Sequence, residues 1–176
     1  MTRDQKIVAM GSAGGVLTMV VAVIAIFWLW PINPSLSDIP MRLGYAIQAN
    51  AFALVPLLLG ILAVANARFL GDAIDPTLQK ENRAMQINGR VVDNTLQQFV
   101  LFLVASTALS VNATSSQMRL IPAATIVFVF ARMAFWIGYR IHPLYRAFGM
   151  GATGYLNVGL LAFAIWKALG CGGGNL

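Results

Sequence analysis

The sequence predicts an all-α integral membrane protein, and three observations predict it. The 176 residues are 59% apolar and only 10% charged, with a mean hydropathy of +0.74. Soluble domains are nearer half apolar and about a quarter charged. Five apolar segments are each long enough to cross about 30 Å of hydrocarbon at about 1.5 Å per residue. Finally, Pro, Asn, Ser and Gly cluster between those segments, where a chain must turn in water.

The first segment, Ile7 to Trp30, ends in Trp28-Leu29-Trp30-Pro31, an interfacial aromatic signature. Its core is longer than a signal peptide's, and no small-x-small cleavage site follows, so it reads as a retained helix. Gly11 and Gly15 form a small-xxx-small pair that allows close helix packing. Residues 31–44 read as a loop. The second span covers about Tyr45 to Phe69, followed by a polar connection from Gly71 to Gly89. Within it, Asp75-Pro76 has the form of an N-cap before a first-turn proline, which predicts that the third helix starts in water near Pro76. That helix enters the membrane near Arg90 and ends near Val111. The fourth span runs from about Leu120 to Ile141, closed by His142-Pro143. The fifth runs from about Phe148 to Leu169, ahead of a Gly-rich tail holding Cys171, the single cysteine. Three units result: residues 1–44, an N-terminal helix and loop; 45–169, a four-helix membrane domain; and 170–176, the tail.

Charge sets the orientation. Arg3, Lys6, Arg68, Lys80, Arg83, Arg90, Arg140 and Arg146 fall on one side, against Arg42, Arg119 and Lys167 on the other. The positive-inside rule then places the N-terminus in the cytoplasm. The net charge of +6 is dispersed between apolar runs, so nucleic acid is not an expected partner. One cysteine and one histidine leave no set of residues for a zinc cluster, and no metal is expected. Gly149-Met150-Gly151-Ala152-Thr153-Gly154 spells GxGxxG, but no strand precedes it, so it reads as small residues easing helix packing.

Polar residues inside the spans carry the functional argument. At about 100° per residue, Arg90, Asn94, Gln97 and Leu101 share one stripe of the third span, with Arg83 and Gln86 ahead of them. Such groups need partners in hydrocarbon. Arg132 lies thirteen residues after Arg119 and ten before His142, at least about 15 Å from either boundary. An arginine there costs about 2.5–3.5 kcal/mol on insertion scales. It reads either as a structural group paired with Asp93 or backbone carbonyls, or as an anion site between helices. Thr125 and Tyr139 lie seven residues to either side of it on one face, flanked by Phe135 and Trp136. Arg90, Arg132 and Arg146 are then expected to converge near the cytoplasmic boundary. Three guanidinium forks together would suit a ligand with more than one anionic group.

The blocks Arg90-x-x-x-Asn94-Thr95-x-x-Gln98 and Phe130-Ala131-Arg132-x-x-Phe135-x-x-Gly138-Tyr139, followed by Pro143-x-x-Arg146-Ala147-Phe148-Gly149, resemble the MAPEG family, the membrane-associated proteins of eicosanoid and glutathione metabolism. The resemblance spans residues 45–169 and is that of a prokaryotic-type member. It implies a MAPEG-like four-helix bundle with an additional N-terminal transmembrane helix. It further implies a homotrimer in a bacterial inner membrane, binding glutathione between subunits and taking a small apolar substrate from the bilayer. By position, it makes Arg90, Asn94, Gln97, Gln98, Arg132 and Tyr139 glutathione-binding residues. Arg146 would be the catalytic arginine that stabilises the glutathione thiolate, as a cation near a thiol does. The expected function is a glutathione-dependent transferase or peroxidase acting on apolar electrophiles. Gln97 stands where the family has glutamate and Phe135 where it has tyrosine. Those departures motivate the alternative of a non-catalytic member, binding anionic lipid or serving as a scaffold.

Overall fold

The computed structural model describes residues 1–71, 74 and 80–170. Among them the chain forms six α-helices and no strands: α1 (Arg3–Leu29), α2 (Ile39–Ala53), α3 (Val55–Leu70), α4 (Arg83–Asn112), α5 (Leu120–Ile141) and α6 (Ala147–Ala168). These give five stretches long and apolar enough to cross a membrane, as the hydropathy pattern requires; α2 and α3 act as one stretch, Ile39–Leu70. The break at Leu54 has a local cause in Pro56. Proline lacks the N–H that would bond to the carbonyl four residues back, and its ring crowds that carbonyl.

Several helix ends have an identifiable cause. Thr2 and Gln5 form a reciprocal capping box at the start of α1. Helix α4 starts at Arg83 rather than near Pro76. The Asn82 side chain accepts the Met85 N–H at 2.9 Å and so defines the N-terminus there. Asp75 and Pro76 lie outside the described residues, as does the tail with Cys171. At its other end α4 is closed from outside. Arg42 donates from Nε to the Ser110 carbonyl at 3.1 Å and from a terminal nitrogen to that of Val111 at 3.4 Å, meeting carbonyls a helix end leaves unpaired. On that same boundary the Arg119 guanidinium stacks 4.4 Å from the Phe27 ring centre. Extended backbone at His142, just before Pro143, ends α5.

In hydrocarbon, helices gain little from burying apolar surface, so close packing of small residues has to bring them together. The core shows this. Ala46, Ala53, Ala105, Ala124, Ala131, Ala152 and Ala164 are buried around one large aromatic pair, Phe102 and Phe128, whose ring centres are 4.7 Å apart. Glycines seat α6 on both its neighbours. A Cβ on Gly149 would collide with the Ala131 carbonyl and the Phe135 backbone of α5, and one on Gly151 would sit 2.8 Å from the Ser12 carbonyl oxygen of α1. Gly15 of α1 meets the Phe148 backbone in the same way. The GxGxxG run is thus a packing surface. Gly11 stands 3.4 Å, through a notional Cβ, from the Ala147 side chain.

Gly149 and Gly154 belong to the same motif but differ in surroundings, since nothing lies within 4 Å of a Cβ at Gly154. Gly149→Ala is expected to destabilise the purified protein by about 1–3 kcal/mol through overpacking. Gly154→Ala is expected to be neutral or stabilising by up to about 1 kcal/mol from helix propensity. Thermal unfolding in detergent distinguishes the two.

Candidate functional site

Arg132 is the centre from which the polar interior is built. Helix α5 carries it into the bundle, where it is 1% exposed. Its guanidinium donates to the Asn94 side-chain oxygen at 3.0 Å, the Thr95 hydroxyl at 2.8 Å and the Thr153 hydroxyl at 3.2 Å. The face of the cation lies 4.1 Å from the Phe135 ring centre. Thr153 in turn donates to the Gly149 carbonyl at 2.8 Å, which aims its lone pairs at Arg132. Three helices, α4, α5 and α6, are therefore tied by one side chain. The expected pairing with Asp93 or with backbone carbonyls does not occur. Asp93 is exposed on the outer side of α4, and every oxygen around Arg132 belongs to a neutral side chain. The Arg132 Nε is buried without a partner.

Helix α4 carries two polar stripes, and the one expected to form the wall of the site is the outer one. The buried residues are Met85, Asn88, Val91, Thr95, Phe102, Ala105, Ser106, Leu109 and Ser110. That face meets Trp136 through Asn88 (2.9 Å) and Asn50 through Ser106 (3.0 Å). Arg90, Asp93 and Gln97 sit on the opposite side and are exposed. Asn94 alone of the expected stripe reaches Arg132, because it lies at the edge between the two faces. Gln98 turns the other way, and its side-chain oxygen accepts from Asn157 Nδ2 at 2.8 Å.

The three arginines expected to converge occupy separate places. Arg90 lines a cavity between α3 and α4, Arg132 is enclosed, and Arg146 is exposed with its guanidinium 4.7 Å from the Tyr139 ring centre. Tyr139 is buried with Val91 and Phe135, and its ring meets that of Phe135 edge-on at 6.0 Å. Aromatic rings, not an open cleft, fill the space between Arg132 and Arg146. Thr125, on the same face, is buried and bonds its own helix at Ile121. Thr95, Thr153 and Asn157 were missed as site residues. The signal for Thr95 was present in the sequence, since the spacing of 88, 91, 95, 102, 106 and 109 marks an inward helix face.

One further feature has chemical potential. The cavity at Arg90 has a volume of about 590 Å³; Ile61, Val64 and Ala65 form an apolar wall, while Arg68, Glu81, Arg90 and Asp93 form a charged end. Arg68 and Glu81 are paired with each other there. No group of three His, Cys, Asp or Glu side chains able to hold a metal occurs among the described residues.

Thr95 gives up one of the three oxygens holding Arg132 if it becomes valine. Thr95→Val is expected to destabilise the protein by about 1–3 kcal/mol, the cost of leaving a buried donor unmet. In an Arg132→Met background the same change is expected to cost little, so a double-mutant cycle by thermal or denaturant unfolding reads the coupling.

Comparison with known proteins revises the family reading. The chain is 27% identical over 134 residues to transmembrane protein 79 of mouse, and equally to that of cow. The alignment covers 76% of this chain but 33% of the relatives, so the chain spans about a third of the length of the curated relatives it matches. No protein-family model matches, and no solved structure does. The resemblance to the MAPEG family is overturned by these relatives, and with it the glutathione-dependent transferase or peroxidase and its non-catalytic MAPEG-fold alternative. The assignment to a bacterial inner membrane leaned on that resemblance. The helices and the relatives together make this chain a multi-pass membrane protein, similar to transmembrane protein 79.

Proposed function

We propose that the protein works as a homo-oligomeric multi-pass membrane assembly, three copies joined along the outward face of α4, with the N-terminus in the cytoplasm. The observation that carries this is the exposure of Arg90, Asp93 and Gln97 on successive turns of a membrane-spanning helix. Asp93 and Gln97 lie three and seven residues past Arg90, where this span meets the membrane, about 5 and 11 Å further along the axis. Carboxylate and amide groups facing lipid at such depth are costly, and polar side chains in membranes face a bundle interior or pair with one another. Opposite charges at 90 and 93 allow the stripe to pair with a copy of itself. Three is the smallest ring in which each α4 has two such neighbours. The eight basic residues gathered on one side support the orientation.

Native mass spectrometry in mild detergent is the test. The wild type is expected as a trimer, and the double variant Asp93→Asn, Gln97→Leu as a mixture with at least half monomer. A monomeric wild type would end the proposal.

The cavity at Arg90 favours a second reading, in which the stripe also receives lipid. A charged end with both signs beside an apolar wall suits a zwitterionic headgroup, its phosphate toward Arg90 and its amine toward Asp93. Phosphatidylethanolamine is then expected to stay bound in native mass spectra of the wild type and to be lost on Arg90→Ala. Retention in that variant would exclude Arg90 as its ligand.

A further inference from the structure

A second cavity, of about 550 Å³, opens between the end of α1, helix α2 and helix α5, and none of its wall comes from α4. Its character differs from the first. Phe52, Val55, Ile126, Val129 and Phe130 make it apolar, and no charged residue lines it. Its polar lining residues, Trp30, Tyr45, Gln48 and Thr125, all lie within about three turns of the helix ends on one side, the end of α1 and the starts of α2 and α5. Arg42 marks the membrane boundary on that side, since it closes the end of α4. Gln48 is six residues further along α2, about 9 Å deeper, and Val55 about 20 Å deeper. The slot therefore runs from just below the boundary toward the bilayer centre.

The Gln48 side chain is exposed and makes no hydrogen bond to any described residue, nor does the Tyr45 hydroxyl. An amide left unmet in hydrocarbon is costly. Thr125, buried in the same wall, donates to the Ile121 carbonyl at 2.9 Å and so offers only an acceptor. We infer that this slot binds a neutral, rigid, ring-bearing isoprenoid alcohol of the sterol class. Its hydroxyl meets Gln48 and Tyr45, and its ring system lies along Phe52, Ile126 and Phe130. A phospholipid headgroup finds no charge in this wall. An acyl chain would fill the apolar end but leave the Gln48 amide without a partner. A rigid ring system loses little conformational freedom on entering, which favours it over a flexible chain. The inference does not depend on how copies of the chain assemble.

The full chain, reconstituted in nanodiscs and irradiated with a photoreactive cholesterol analogue, provides the test. Adducts are expected on peptides of α2 and α5 and are expected to be competed by cholesterol. Gln48→Leu, a lipid-facing change that leaves packing intact, is expected to lower labelling about fivefold, the scale of one hydrogen bond. Val129→Trp fills the slot and is expected to abolish labelling without changing the melting temperature in the absence of sterol. Adducts spread evenly over all spans, labelling unchanged in Gln48→Leu, or equal competition by a saturated phosphatidylcholine would each overturn the assignment. The last result would identify the occupant as an ordinary acyl chain.

Discussion

The structure depends on the hydrogen bonds that hold the Arg132 guanidinium. Hydrocarbon supplies no donors or acceptors, so a charge placed in the middle of a span must find them within the protein. Asn94 and Thr95 from α4 and Thr153 from α6 supply three oxygens, and the Phe135 ring covers the cation's face. The arrangement ties together the three helices that form most of the buried interior. It also sets the rotation of α4 about its own axis. With Thr95 turned to Arg132, Asn88 reaches Trp136 and Ser106 reaches Asn50, so each polar layer above and below has a partner in register.

That rotation has a consequence for the opposite face. A helix with Asn88, Thr95 and Ser106 inward must carry Arg90, Asp93 and Gln97 outward, because the two sets lie on opposite sides of the 3.6-residue turn. Helix α4 is thus polar toward its own bundle and polar away from it. Among the described residues, hydrogen-bond partners are found for the first set. The oligomerisation and the lipid binding proposed above both rest on this one geometrical feature.

The departure from the expected family has a physical lesson. In this chain an arginine near the middle of one span, an Asn-Thr pair in the span before it and glycines in the span after it are accounted for by a buried guanidinium that needs acceptors and by close helix contact. Asn94 and Thr95 both meet Arg132, so the two motif blocks touch there. What did not follow was a shared anion site, because Phe135 and Tyr139 fill the space toward Arg146 and Arg90 points outward. Contact between motif residues reports a packing solution, and chemistry requires an accessible cavity as well.

Composition and hydropathy alone determined the all-α membrane class, the five spans and the breakers between them. The reason is that spanning segments must be long, apolar and internally hydrogen-bonded whatever they pack against. Sequence also marked Arg132 as a group that needs partners. Which partners it has was decided only by tertiary structure, because Asp93, Asn94 and Thr95 are neighbours along α4 and differ by a rotation of about 100° per residue. The start of α4 at Asn82 and the role of Arg42 at its end were likewise settled by contacts and not by propensity. The outward stripe at Arg90, Asp93 and Gln97 is visible in the sequence as a pattern. That it faces away from the bundle depends on where the other helices lie.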